Sequence, residues 1–325
     1  MARWCGTSLS AGNTVSAAAI GTPSPAMATF AAPASAPAPA PVGGNRRRGQ
    51  LSRSLSLLLI APLVVLLVLV FFLPIARLLL TSFTEPAFGF SNYARLAAEP
   101  LYLQVFVRTL WIATACTVFT LLIGYPVAML MARHGGRFAI IATMCVLIPL
   151  WTPVLVRSYA WIVILERNGL VNSWLMSHGL IAMPLKLLYT NGAVLLAMTH
   201  VLLPFMVLPI ATALKSVPPD LPKAALNLGA GRLRVFWSVI LPLSLPGVFA
   251  GCLIVFVMAL GFYVTPALLG GPRTLMLATL IGQQARELLN WPFAGAISLV
   301  LLTLSLGITV TFKRLLKLDR VVAHD

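Results

Sequence analysis

Long apolar runs alternate with short polar segments along the chain. A membrane-spanning helix needs about 20 mainly apolar residues at about 1.5 Å of rise per residue. Six runs in the 325-residue chain are long enough, at residues 55–80, 109–131, 138–165, 188–214, 240–269 and 292–312. We therefore predict an all-α membrane protein with about six transmembrane helices. Prolines inside several runs are compatible with this fold, because neighbouring helices can satisfy the carbonyl groups that a proline frees.

The segment before the first run has a different composition. Residues 1–50 are rich in alanine and proline and end in a basic cluster. Such a segment buries too little apolar surface to offset the entropy of ordering. We predict a disordered cytoplasmic tail over residues 1–50, followed by one transmembrane domain over residues 51–320.

Basic residues set the predicted orientation. The chain has 23 Lys and Arg against 7 Asp and Glu, which gives a formal net charge of +16. Since the basic residues lie between apolar runs, the excess indicates control of topology and lipid contact rather than nucleic-acid binding. Most of them share one side of the membrane when both termini are placed in the cytoplasm. We predict a multi-pass protein with cytoplasmic N- and C-termini.

The polar residues form no recognisable catalytic pattern. The chain has no Gly-rich phosphate-binding motif, and its Cys and His residues lack metal-ligand spacing. We therefore predict that this chain has no catalytic site, metal or cofactor and does not itself hydrolyse ATP. His200 lies within an apolar run, where it could bond a neighbouring helix or have a functional role. The acidic residues all lie outside the runs, which disfavours proton coupling.

The loop at residues 215–242 carries the most specific pattern. Prolines precede a stretch of good helix formers at residues 223–228, and Gly229 then permits a sharp break. A second helix is predicted to begin near Arg232 and to enter the membrane through Leu241 and Pro242. The expected order is a short helix, a glycine elbow and a membrane entry.

This loop resembles the EAA loop of ABC importer permeases, where a short coupling helix docks in a cleft of the cytoplasmic ATPase. Ala224 and Ala225 match the two alanines of the motif, and Gly229 has the required spacing. Lys223 stands where the family has glutamate. The resemblance implies that the ATPase-coupling residues are Lys223, Ala224, Ala225, Leu228, Gly229, Leu241 and Pro242.

Residues 149–172 and 261–272 are similar to the spermidine/putrescine branch of these permeases. With the loop, the resemblance covers about residues 55–315. It implies a type I ABC importer permease fold in the bacterial inner membrane. The implied partners are two cytoplasmic ABC ATPase subunits, a second permease subunit and a periplasmic substrate-binding protein. Polyamines are the expected cargo, with ferric iron or another small solute as alternatives.

Irregular backbone at membrane depth is allowed only beside protein or a wet cavity. The stretches around Thr265-Pro266 and Gly270-Gly271 can interrupt a helix in this way. A plain helix end is the alternative interpretation of these residues, and an interfacial anchor is the alternative for Arg157. The predicted translocation-pathway residues are Arg157, Tyr263, Thr265, Gly270 and Gly271.

Two other classes of membrane protein are alternatives to an importer permease. A stand-alone secondary transporter or channel would need a coupling carboxylate or an inverted repeat, and neither is evident. An intramembrane enzyme would need a nucleophile–base pair or metal ligands at membrane depth, which His200 alone does not supply.

Overall fold

The computed structural model describes residues 53–85, 88–133 and 136–322, and the regular elements in these ranges are helical. The predicted tail over residues 1–50 lies outside them. The α-helices are α1 (Arg53–Leu67), α2 (Leu73–Thr84), α3 (Ser91–Ala98), α4 (Pro100–Arg133), α5 (Arg137–Trp151), α6 (Val154–Leu165), α7 (Leu170–Ser177), α8 (Asn191–Lys215), α9 (Asp220–Asn227), α10 (Arg232–Val235), α11 (Leu241–Leu260), α12 (Val264–Leu269), α13 (Leu277–Arg286) and α14 (Trp291–Val322).

Five helical stretches are long and apolar enough to cross a membrane. They are Ile60–Thr84, Pro100–Arg133, Asn191–Lys215, Arg232–Leu260 and Trp291–Arg314. Single π-helical turns join α1 to α2 and α10 to α11 without ending the helix. A sixth span is complete if α5 and the bent α6–α7 segment are counted as one. The predicted all-α fold with about six spans is confirmed.

The third predicted span, at residues 138–165, is not a single helix. The run divides between Trp151 and Val154, and the two parts are bent by 100°. Thr152 is extended (φ −83°, ψ 130°), since the proline that follows disfavours helical geometry in the preceding residue. Pro153 also has no N–H to continue the hydrogen-bond ladder.

The run at residues 240–269 is also divided. Helix α11 ends at Leu260, and Gly261 to Tyr263 lead into the short helix α12. The sequence indicated a break at Thr265-Pro266, but the helix is interrupted before these two residues. Pro266 instead lies in the first turn of α12, a position in which its missing N–H leaves no helical bond unmade.

Helix α8 forms the centre of the bundle, between α4 and α11. Its Met206 packs against two glycines: an added Cβ would lie 3.2 Å from Met206 Cγ at Gly124 and 2.8 Å from Met206 Sδ at Gly251. A Cβ on Gly247 would lie 2.5 Å from Ala213 Cβ. Small residues let helix backbones approach closely in membranes, where dispersion contacts replace the hydrophobic effect as the driving force.

The first span packs on the bundle through α2. Gly295 of α14 lies against the Leu78 carbonyl oxygen, and Ser82 Oγ is 2.7 Å from Tyr93 Oη of α3. Large apolar side chains between Ile60 and Leu73 are exposed. This part of the first span therefore faces the surroundings of the chain rather than its core.

Candidate functional site

The bundle has two ends with different chemistry. Helix α9 connects α8 to the span that begins at Arg232, and we call this the α9 end. Helices α12 and α13 connect Leu260 to α14 at the opposite end, which we call the α13 end. The predicted coupling residues lie at the α9 end. Tyr263, Thr265, Gly270 and Gly271 lie at the α13 end.

The loop at the α9 end has the predicted order of elements. The short helix begins at Asp220, three residues earlier than the stretch of helix formers suggested, and ends at Asn227. Gly229 has a φ of +83°, a conformation that glycine adopts without steric cost. A helix begins again at Arg232 and continues through Leu241 and Pro242 into the fifth span.

The end of α9 is a Schellman motif. The Gly229 N–H donates to the Leu226 carbonyl oxygen at 2.9 Å, and the Ala230 N–H donates to the Ala225 carbonyl oxygen at 3.1 Å. Ala225 and Ala230 occupy the two positions that carry the apolar residues of this motif, and both pack at the edge of the core. The spacing of four residues between Ala225 and Gly229 is therefore the one that this helix ending requires.

The outward face of the loop is apolar and basic. Leu228 is 88% exposed and Leu233 72% exposed, an uncommon degree for leucines beside a helix turn. Lys223 Nζ lies 3.5 Å from Asp220 Oδ1, and both side chains are exposed. Exposed apolar residues beside charges are typical of a surface that binds another protein. A cavity of about 520 Å³ lies on the inner side of α9, lined in part by Arg133, Leu214, Pro222, Leu226, Arg232 and Ile240.

A second cavity, of about 290 Å³, lies at the α13 end. Tyr263, Gly270 and Gly271 line it, together with Gln283 and Glu287 of the α13 region. Gly270 is packed so closely that an added Cβ would overlap the Pro266 carbonyl oxygen of α12. The structure thus brings three of the five predicted pathway residues together.

The Tyr263 ring is held by α13. A Cβ on Gly282 would lie 2.5 Å from Tyr263 Cε2, and Arg286 Cζ lies 5.5 Å from the ring centroid. This geometry fixes one face of the cavity. Gln283 and Glu287 follow at a spacing of four residues, so they lie on the same side of α13.

Sequence analysis did not predict the role of Gln283 or Glu287 in this cavity. They lie far from Tyr263 in the sequence, and only the return of α13 towards α12 brings them together. The available signal was a polar residue and a carboxylate four positions apart, following a broken apolar run.

Thr265 and Arg157 do not line this cavity. Thr265 is fully buried, and its Oγ1 is 3.1 Å from Ser158 Oγ of α6. Arg157 lies beside Ser158, in the first turns of α6. A pathway role for either residue stays a prediction.

His200 joins two helices. The Trp161 Nε1–H of α6 donates to His200 Nδ1 of α8 at 3.3 Å. An indole N–H is a donor only, so Nδ1 must carry the lone pair and a neutral His200 has its proton on Nε2. The histidine is thus bonded to a neighbouring helix, one of the two interpretations of the sequence.

The apolar helical bundle, the exposed basic loop at one end and the polar cavity at the other are features of membrane transport proteins. Residues 124–316 match the family described as "Binding-protein-dependent transport system inner membrane component". The chain belongs to this family. It is a permease subunit of a binding-protein-dependent importer and a multi-pass inner-membrane protein, not a stand-alone transporter, a channel or an enzyme.

Several curated relatives carry the same name. The chain is 34% identical to "Spermidine/putrescine transport system permease protein PotB" of Escherichia coli, over 70% of this chain and 82% of that protein. It is 36% identical to the protein of that name from Haemophilus influenzae, over 70% of this chain and 79% of that protein. The "Molybdenum transport system permease protein ModB" of Mycobacterium bovis is 34% identical over 50% of this chain and 59% of its own length.

Solved structures support the same fold. A bacterial alginate ABC transporter in complex with its pentasaccharide-bound periplasmic protein matches with a TM-score of 0.70 and 17% identity, over 80% of this chain and 92% of that chain. A second structure, of a bacterial ABC transporter involved in alginate import, has a TM-score of 0.67 at 17% identity, over 81% of this chain and 94% of that chain. At this identity the likeness confirms the type I ABC importer permease fold alone.

Proposed function

We propose that this permease moves polyamines such as spermidine and putrescine into the cell. The observation that carries the proposal is the cavity at the α13 end, which combines Tyr263, Gln283 and Glu287. A carboxylate, an amide oxygen and an aromatic ring are groups that bind alkylammonium ions. Glu287 forms no ion pair with any described residue. The relatives named for spermidine and putrescine support the same cargo.

The proposed assembly has two copies of an ABC ATPase subunit, a second permease subunit and a periplasmic substrate-binding protein. Both termini and the α9 end lie in the cytoplasm, as the distribution of Lys and Arg favours. Residues from Lys223 to Pro242 transmit movement of the ATPase to the spans. The exposed Leu228 and Leu233 support this role, because they offer apolar surface for docking. The α13 end then faces the periplasm and receives the cargo.

Uptake by the complete importer in proteoliposomes tests the cargo. With the binding protein outside and ATP inside, we expect uptake of labelled putrescine and spermidine, with no competition from molybdate or ferric iron. Glu287→Gln should raise the half-saturating polyamine concentration by about 10- to 150-fold, since a hydrogen bond to a charged group is worth about 1.5–3 kcal/mol. Glu166→Gln is the matched control, because Glu166 is exposed and lies outside the cavity.

The two parts of the proposal fail in different ways. Uptake of molybdate, iron or another solute would keep the importer and reject the polyamine. If Glu287→Gln and wild type have the same half-saturating polyamine concentration, polyamines remain the cargo but the cavity is rejected as their route.

A further inference from the structure

Arg157 is a cation with buried donors at the elbow between α5 and α6. It lies in the first turns of α6, and its backbone N–H donates to the Pro153 carbonyl oxygen at 3.3 Å. Its side-chain Nε and Nη1 are buried, and neither has an acceptor among the described residues. An unpaired guanidinium at membrane depth is unfavourable, and such residues usually pair with another charge.

The nearest polar side chains are already engaged. Ser158, the next residue, is bonded to Thr265. Trp161, one helical turn further on, donates to His200. Because that bond occupies the Nδ1 lone pair, the neutral His200 ring has only its Nε2–H left, which is a donor and cannot accept from a guanidinium.

No carboxylate in the part of the chain that the structure describes forms an ion pair with Arg157. Glu166 follows Arg157 most closely, but it lies beyond the end of α6, about 13 Å along the helix axis by the usual rise. It is exposed and forms no hydrogen bond or ion pair through its side chain there. An acceptor for Arg157 must therefore come from outside these residues.

The surface around Arg157 shows from which side an acceptor can approach. Ser158 and Leu165 are buried and mark the face of α6 that packs on the bundle, whereas Val156 and Val163 are 55% and 65% exposed. By the helical period, Arg157 lies at the boundary between these faces. A helix that covers the apolar face would meet the guanidinium at its edge.

We propose that the second permease subunit covers this face of α6 and places an Asp or Glu carboxylate against Arg157. The inference rests on the proposed importer assembly. The guanidinium–carboxylate pair as a whole has no net charge, so Arg157 would then add little to the repulsion of a cationic cargo. Arg157 is then a positioning residue between subunits and not a contact of the cargo. Arg157 is only partly buried, and the part of its guanidinium beyond Nε and Nη1 is open to such a carboxylate.

The test uses the complete importer, purified through an affinity tag on this chain. Arg157→Glu is expected to lower both the amount of second permease retained and the uptake rate at least tenfold. Each Asp and Glu within the spans of the second permease is then changed to Lys, one at a time, in the Arg157→Glu background. One of these changes should restore retention and uptake. Arg167→Glu is the matched control, because Arg167 is exposed after α6 and needs no intramembrane partner.

Three outcomes would overturn the inference. Retention of the second permease and wild-type transport by Arg157→Leu would show that the cation needs no partner. Restoration by none of the complete set of reversals would exclude a carboxylate on that subunit. A wild-type chain that retains the ATPase without any second permease would refute the proposed assembly itself, and this contact with it.

Discussion

Gly229 gives the sharpest test of the elbow at the α9 end. Its φ of +83° lies in the left-handed region, and an added Cβ would meet no atom within 4 Å. Any substitution there therefore has a backbone cost and no packing cost. The cost is about 1–2 kcal/mol for an ordinary residue, less for Asn and more for a β-branched residue.

This backbone cost is as large as the free energy that a helix cap contributes. A helix cap contributes on the order of 1 kcal/mol, so Gly229→Ala removes most of the preference for the Schellman ending of α9. Since about 1.4 kcal/mol corresponds to a factor of ten, the native ending loses about 5- to 30-fold in population relative to its alternatives. On the proposed docking, a helix that ends differently would no longer move as one piece with the ATPase.

The assay is the ratio of solute taken up to ATP hydrolysed by the importer in vesicles. We expect this ratio to fall severalfold in Gly229→Ala, further in Gly229→Val and little in Gly229→Asn, with unchanged amounts of protein in the membrane. Gly231→Ala is the matched control, because Gly231 is equally open but has φ −65° and ψ 156°, which alanine adopts freely. If Gly229→Val couples transport as well as Gly231→Ala, the reasoning is refuted.

Two further predictions concern packing and charge. Gly247→Ala should lower the thermal stability of the purified protein by several degrees, because overpacking at a backbone contact costs about 1–3 kcal/mol. Gly307→Ala, which lies within α14 and meets no neighbour, should not lower it, since alanine favours a helix over glycine by about 1 kcal/mol. Equal melting temperatures of the two variants would contradict this. Lys223→Glu should leave the stability of the protein unchanged, since the exposed pair of Lys223 with Asp220 contributes about 0–1 kcal/mol. The same change should lower ATP-driven uptake, and a reversed charge in the ATPase cleft should restore it. Undiminished uptake would argue against docking at this residue.

The spans could be predicted from the sequence because their signal is local. A run of about 20 apolar residues has few alternatives to a membrane helix. The elbow at Pro153 could not be predicted from proline alone. Pro126, Pro204 and Pro209 lie inside continuous helices of the same chain, so the packing around a proline decides whether the helix breaks.

The two ends of the bundle also differ in how far local sequence determines their structure. The order of elements around Gly229 followed from neighbouring residues and from a motif with fixed spacing. The cavity at the α13 end depends on contacts between residues far apart in the sequence, such as Tyr263 with Gly282. The partners of Ser158 and Trp161 also lie on other helices, and nothing in the local sequence specifies them.

The glycines that receive Met206 have a consequence for spectroscopy. Because Gly124 and Gly251 let their helices touch the Met206 side chain and Gly247 brings backbone against Ala213, α4, α8 and α11 have little room to slide past one another. Pairs of spin labels on these three helices should report one narrow distance distribution throughout the transport cycle. A label on α9, paired with a reference label on α8, would test whether the short helix at the α9 end moves relative to these three helices.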